Sequence, residues 1–210
     1  MNQTLIANTL SLTLFVVALF ISLRAFYLYR KARSRRLFIL GLSMGIISLT
    51  AAAGFLGDNV TSVSLNVDWF NYIGQTCSFL FILLSLFSNS DEYLRQLMRW
   101  HIVISLLLLF LFFLAPVLPP EFPDPAITKT LLSGSRGLIC LVIFYSYIMS
   151  FMAKETRFSL LMGVAFLLLS AGYFVIIPKY SIPNLDLLDE LGDLTRVGGL
   201  ITLFVTILIG

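Results

Sequence analysis

Seven apolar stretches of about 20 residues each constrain the fold of this chain more than any other feature of its sequence. A bilayer core about 30 Å thick is crossed by about 20 residues of helix at 1.5 Å per residue. Hydrocarbon offers the backbone no hydrogen-bond partner, so each stretch must satisfy its own amides as a helix. The sequence therefore predicts an all-α integral membrane protein with one seven-helix domain over 1–210. The predicted spans lie at about 5–29, 37–56, 69–88, 100–118, 130–152, 158–178 and 187–210.

The composition agrees with this prediction. Apolar residues make up 59% of the chain and charged residues 12%, whereas soluble domains average about 45–50% and about 25%. A water-soluble enzyme domain is thereby excluded. The mean hydropathy of +0.96 also indicates a membrane protein.

The basic residues predict the orientation of the spans. One side of the predicted bundle carries ten of them and the other side four, and the positive-inside rule places the richer side in the cytoplasm. The N-terminus is then outside and the C-terminus inside, in the plasma membrane. We interpret the cluster in 30–36 as a topology determinant that meets anionic lipid headgroups, not as a nucleic-acid patch. The ten are Arg24, Arg30, Lys31, Arg33, Arg35, Arg36, Arg95, Arg99, Lys154 and Arg157, and the four are Lys129, Arg136, Lys179 and Arg196.

The chain matches itself at one fixed offset of 118 residues. Of the 54 pairs that align 21–74 with 139–192, 14 are identical. This match predicts a parallel repeat, in which spans one to three (about 5–88) recur as spans five to seven (about 130–210) and span four (about 100–118) is the linker. Shared glycine, tyrosine and asparagine residues carry the match, because leucine matches are frequent by chance in so apolar a chain. They include Tyr27 with Tyr145, Tyr29 with Tyr147, Gly54 with Gly172, Asn66 with Asn184 and Gly74 with Gly192.

This three-plus-one-plus-three plan resembles that of the SWEET and PQ-loop carriers and, more loosely, that of the microbial rhodopsins. The resemblance lies in topology and orientation, and it implies a carrier of sugars or amino acids, or a receptor. Retinal chemistry needs a lysine amine in the last span, and there is none between Leu187 and Gly210. The abrupt end at Gly210 is similar to that of the seven-helix modules that precede bacterial histidine kinases.

Polar residues recur at matching places in the two predicted repeats. Asn71, Gln75 and Ser78 are spaced i, i+4 and i+7, so they share one face of span three. At the same positions in span seven the sequence again has polar residues where hydrophobic filler would supply leucine. These positions are Asp189, Asp193 and Arg196.

Arg196 lies near the predicted midplane, where an arginine or an aspartate costs about 2.5–3.5 kcal/mol unless it avoids lipid. We therefore expect an outward-facing, partly basic polar cavity that also includes Arg136 of span five. Three interpretations of Asp193 and Arg196 stay open: an ion pair that only holds helices together, a ligand site, or a proton relay. In the second, Arg136 and Arg196 hold the anionic group of an amphiphilic small molecule, and Asn71, Gln75 and Tyr173 add hydrogen bonds.

The sequence lacks the sets of residues that several kinds of catalytic, metal and cofactor sites require. The single histidine, His101, is placed at the inner start of span four, which leaves no multi-histidine metal or haem site. Cys77 and Cys140 are interpreted as small packing residues. Catalytic triads, phosphate loops and metal-spaced carboxylates are not found. The sequence therefore predicts a protein that is not an enzyme and that needs no cofactor, metal or nucleic acid.

Two functional hypotheses follow from these features. In the first, a receptor or sensor binds its ligand from outside and passes helix shifts to a cytoplasmic signalling domain or partner. In the second, a carrier moves a small polar or anionic solute between the two triplets by alternating access. The sequence favours the receptor narrowly, because the helix-breaking prolines that build many carrier sites are missing within spans one, two and five.

Overall fold

The computed structural model describes residues 3–59, 67–114, 117, 124–182 and 186–209. Within them it has seven α-helices, one short 3-10 helix and no strand. All seven are long and apolar enough to cross a membrane, which confirms the prediction of seven helices of membrane-spanning length. The helices are α1 (Gln3–Ala32), α2 (Arg35–Asn59), α3 (Asp68–Phe87), α4 (Asp91–Phe113), α5 (Pro125–Lys154), α6 (Arg157–Ile176) and α7 (Asp186–Ile209), with the 3-10 helix η1 (Ile177–Tyr180) after α6.

The bounds of the fourth span were predicted wrongly. We expected 100–118, but α4 begins nine residues earlier and ends at Phe113. The charged residues of its first turns lower the local hydropathy, yet Asp91 and Glu92 suit a helix start because they meet the positive end of the helix dipole. Four positions named in the predictions, Asn66, Leu118, Asn184 and Gly210, lie outside the described residues.

The earlier start of α4 moves His101 away from the end of the span. It lies ten residues after Asp91, about 15 Å along the helix. The side chain is buried, and its ring stacks on Phe81 of α3 with centroids 4.1 Å apart. His101 is thus a packing residue between α4 and α3 and lies well inside the helix.

Six of the seven helices form a closed ring. Each contacts the next in the order α1, α2, α3, α5, α6, α7, and α7 contacts α1 again. Helix α4 lies outside the ring, where its contacts with the other described helices are with α2 and α3. Neighbours along the chain run in opposite directions, so α1, α3, α5 and α7 end where α2, α4 and α6 begin. We call this end of the bundle the basic end and the opposite end, which includes Tyr180, the far end.

The ring is filled by apolar side chains from all six helices, and its outer surface is apolar as well. The central cluster includes Ile21, Met44, Phe79, Phe166 and Leu203, all of them fully or almost fully buried. Large hydrophobic side chains such as those on the outer face of α4 remain exposed. A soluble protein does not leave so much apolar surface in water, whereas lipid tails would cover it.

Glycines let α6 and α7 approach more closely than side chains would allow. A Cβ atom on Gly172 would lie 2.6 Å from the Arg196 Cγ and 2.7 Å from the Gly192 carbonyl oxygen. Small residues at such crossings are the usual means of close packing in membranes. The position of Arg196 therefore depends on the missing side chain at Gly172.

We predict that Gly172→Ala lowers the stability of the bundle by about 1–3 kcal/mol, the usual cost of overpacking. The matched control is Gly54→Ala, because Gly54 occupies the corresponding position of the predicted repeat and a Cβ there would meet nothing within 4 Å. Thermal unfolding of both variants in detergent measures the difference. Equal melting temperatures for the two variants would contradict the close crossing.

Candidate functional site

In the half of the bundle toward the far end, Arg136 is the most deeply buried charged side chain among the described residues. It lies eleven residues into α5, about 16 Å from the start of the helix, and its residue surface is 3% exposed. None of the ion pairs in the described ranges includes it. An arginine in such a place is costly unless polar groups or water surround it, so its neighbours decide how the charge is held.

Gln75 of α3 is the central acceptor for this charge. Its side-chain oxygen accepts a hydrogen bond of 2.6 Å from the Arg136 Nη1 and one of 3.0 Å from the Tyr173 hydroxyl. Its amide nitrogen donates to the Asn71 Oδ1 at 2.6 Å and to the Thr50 hydroxyl at 3.2 Å. Both the oxygen and the nitrogen of the Gln75 amide therefore form hydrogen bonds. The oxygen occupies the position in which a carboxylate would neutralise the Arg136 charge.

Tyrosine rings complete the surroundings of the guanidinium. The Cζ atom of Arg136 lies 4.7 Å from the centroid of Tyr72 and 4.6 Å from that of Tyr173, and such contacts stabilise a desolvated cation. Ser133 accepts from Nη2 at 2.8 Å and contacts the Tyr180 hydroxyl at 3.2 Å, which in turn meets the Tyr72 hydroxyl at 3.1 Å. We call this set the Arg136 network: Thr50, Asn71, Tyr72, Gln75, Ser133, Arg136, Tyr173 and Tyr180.

Asp193 and Arg196 of α7 form an ion pair beside the network. Both side chains are largely buried, at 17% and 16% exposure, and they do not lie open to lipid. The Arg196 Cζ lies 5.1 Å from the Tyr173 ring centroid, and its Nε has no hydrogen-bond partner among the described residues. The pair is close to neutral as a unit. Arg136 is therefore the basic side chain of this region that lacks a carboxylate partner among the described residues.

Two of the predicted site residues lie apart from the network. The Ser78 hydroxyl donates to the Gly74 carbonyl of its own helix at 2.7 Å, so it serves α3 itself. Asp189 pairs with Lys179 near the start of α7, where both are partly exposed. The other six predicted residues, Asn71, Gln75, Arg136, Tyr173, Asp193 and Arg196, do come together.

The space beside these residues is smaller than the sequence led us to expect. A cavity of about 20 Å³ is lined by Gln75, Tyr173 and Arg196, together with apolar side chains of five helices. A cavity of this size has room for about one water molecule but not for an amphiphilic ligand. The Arg136 network and the close α6–α7 crossing fill the space between these described side chains, so the expected outward-facing ligand cavity is not seen among them.

A much larger cavity lies at the basic end. Its volume is about 620 Å³, within the range of small-molecule sites. Its lining comes from all six helices of the ring. Arg36 and Lys154 are the charged lining residues among those described, so the wall carries positive charge. Hydrogen bonds thus connect α3 with α5 and α6 toward the far end, whereas the helices surround a large cavity at the basic end.

Sequence reasoning missed several members of both regions. Thr50, Tyr72 and Ser133 belong to the Arg136 network, and only Ser133 carried a usable signal, because it precedes Arg136 by three residues on the same helical face. Tyr180 lies in η1, where spacing along a helix gives no information. The lining of the larger cavity looked like ordinary interface residues. Lys154, for example, was explained by its place at a helix end.

A scan against protein-family models and searches of curated proteins and of solved structures found no match to this chain.

We predict that Gln75→Leu destabilises the bundle by about 3–5 kcal/mol, the usual cost of removing the partner of a buried charge. Gln75→Glu should instead raise the melting temperature, because a charge-assisted hydrogen bond is about twice as strong as a neutral one. Thr76→Val is the matched control, since the Thr76 hydroxyl donates only to its own helix, at the Tyr72 carbonyl. A Gln75→Leu protein as stable as Thr76→Val would show that Gln75 does not hold the Arg136 charge.

Proposed function

We propose that this protein is a membrane carrier that moves a small anionic solute by alternating access between its two three-helix halves. One observation carries the proposal. The halves are joined across the ring by the Arg136 network in the far half, and they part around the 620 Å³ cavity at the basic end. Such an arrangement is what a carrier open to one side requires.

The network contains hydrogen bonds that cross from one half to the other. Gln75 belongs to α3 in the first half, and its two donors, Arg136 and Tyr173, belong to α5 and α6 in the second half. The Tyr72–Tyr180 contact and the Asp68–Lys129 ion pair also join the halves at the far end. Opening the far end would require these contacts to break, and this makes them a gate.

The contacts between helices support the repeat on which the carrier depends. Exchanging α1 with α5, α2 with α6 and α3 with α7 turns every contact of the ring into another contact of the ring. The α1–α7 contact, for instance, becomes the α5–α3 contact. The resemblance in plan to the SWEET and PQ-loop carriers favours the same reading. We therefore assign the two halves to one duplicated unit whose copies rock against each other.

The positive-inside rule supports the orientation. The basic end includes the cluster in 30–36 together with Arg95, Lys154 and Arg157. In a plasma membrane this end faces the cytoplasm and the anionic headgroups of its inner leaflet. We therefore interpret the structure as an inward-open state in which the Arg136 network is the outer gate.

The charge of the substrate follows from Arg136. A buried guanidinium with an amide oxygen in place of a carboxylate can exchange that oxygen for a stronger acceptor. A carboxylate or sulfonate that reaches the network from either side is such an acceptor. Arg196, with its unpartnered Nε, is a second donor close by. We assign Arg136, Arg196, Gln75, Asn71 and Tyr173 to the binding of the anionic group, with no catalytic step and no cofactor.

A receptor is the second candidate. The observation that favours it is the continuity of the Arg136 network, which connects α2, α3, α5, α6 and η1. A ligand that moved one member would shift the others, and the change would reach the basic end, where a cytoplasmic partner could bind. The receptor predicts binding without passage of the ligand, and the carrier predicts both.

The carrier is tested by uptake into liposomes that contain the purified protein, with labelled octanesulfonate, succinate and glucose as probes. We expect saturable uptake of at least one anion. Arg136→Leu and Arg196→Leu should reduce it roughly tenfold or more, because hydrogen bonds to a charged group contribute about 1.5–3 kcal/mol. The control is Arg95→Leu, because Arg95 is exposed on α4 outside the ring. Saturable binding without uptake would favour the receptor, and equal uptake by all four proteins would overturn the carrier.

A further inference from the structure

We infer that the cavity at the basic end binds a single-chain amphiphile with an anionic head, whose head lies at the mouth and whose chain lies against the apolar floor. This inference deepens the proposed function by naming a substrate class, and it rests on that function only in taking the cavity as one end of the transport path.

Polar groups without partners line one side of the cavity. Tyr147, Ser150 and Lys154 are spaced i, i+3 and i+7, so they share one face of α5. The hydroxyls of Tyr147 and Ser150 and the Lys154 ammonium form no hydrogen bond with the described part of the chain. Three donors on one face are thus available to a ligand.

Arg36 of α2 adds positive charge to the lining. Its Nε donates to the Ser85 carbonyl at 3.0 Å and its Nη2 to the Ser88 carbonyl at 3.1 Å, so it is fixed at the end of α3. Lys154, in contrast, is exposed at the end of α5 and lacks an acidic partner among the described residues. The described lining contains these two cations and no acid. This balance selects an anion.

The inner wall of the cavity is apolar. Leu40, Ile82, Met162 and Ile207 come from four helices, and each is at most 9% exposed. Lys154 lies at the very end of α5, whereas Tyr147 lies seven residues, about 10 Å, further in. The Tyr147 ring is held by stacking on Phe166. Charge at the mouth and hydrocarbon inside match the two parts of an amphiphile and do not match a sugar.

Two sources could supply such a molecule: a single-chain anionic lipid of the inner leaflet, such as a lysophospholipid, or a free organic anion with an alkyl chain. Both have the same chemistry, an acidic head on an alkyl chain. Octanesulfonate serves as the probe because it is ionised at every pH of interest. Octanol has the same chain without the charge, and methanesulfonate has the same head without the chain.

The test is equilibrium binding of these probes to the whole protein in nanodiscs of zwitterionic lipid, with empty nanodiscs as the blank. We expect saturable binding of one octanesulfonate per protein, roughly a hundredfold tighter than methanesulfonate, because several methylenes become buried. Lys154→Gln and Tyr147→Phe should each weaken it about fivefold. The matched controls Lys31→Gln and Tyr145→Phe should leave it unchanged, because these residues do not line the cavity.

Octanol binding as tightly as octanesulfonate, or equal losses in the control variants, would overturn the inference. Repeating the titration in nanodiscs that also contain an anionic lysophospholipid, which has a single acyl chain, identifies the source. If the added lipid competes with octanesulfonate, the natural occupant comes from the bilayer. If the affinity for octanesulfonate is unchanged, the occupant is a free amphiphile. Either result supports the site. No flux is involved, so failure of the carrier would leave this titration intact, and failure of the titration would leave uptake of other anions intact.

Discussion

The interaction on which the rest of this structure depends is the hydrogen bond between Arg136 and Gln75. A guanidinium buried in a seven-helix bundle without a carboxylate must be held by neutral acceptors and aromatic faces, or it will draw in water. Gln75, Ser133, Tyr72 and Tyr173 provide this environment, and they come from both halves of the ring. The same contacts therefore stabilise the buried charge and join the two halves.

This arrangement also explains why the opposite end is open. The residues that join the halves lie toward the far end, whereas at the basic end side chains of α3 and α5 line the larger cavity. For the carrier that we propose, a neutral network would suit a gate that opens, because an amide acceptor is weaker than a carboxylate. A buried Arg–Glu pair in the same place would cost more to separate. Glutamine at position 75 is thus more suitable for the proposed gate than for a contact that never separates.

Much of the fold could be predicted because hydrocarbon imposes simple rules on length and polarity. Six of seven spans were placed within a few residues, since 20 apolar residues in succession leave little freedom. The fourth failed because Asp91 and Glu92 made the first turns of α4 look like a loop. Gln75, Arg136 and Tyr173 were found as polar residues in apolar surroundings, but the same criterion also selected Asp189, which lies near a helix end and pairs with Lys179. The cavity at the basic end could not be predicted, because serine, lysine and tyrosine are ordinary at a membrane interface.

The account is tested most directly by the distances between the two halves at each end of the bundle. Spin labels at Leu56 and Ile182 report the far end, and labels at Lys31 and Ala153 report the basic end, in a background without Cys77 and Cys140. All four labelled positions are exposed. When Gln75→Ala removes the acceptor of Arg136, the account predicts a longer distance at the far end together with a shorter one at the basic end. Unchanged distance distributions at both ends would contradict it.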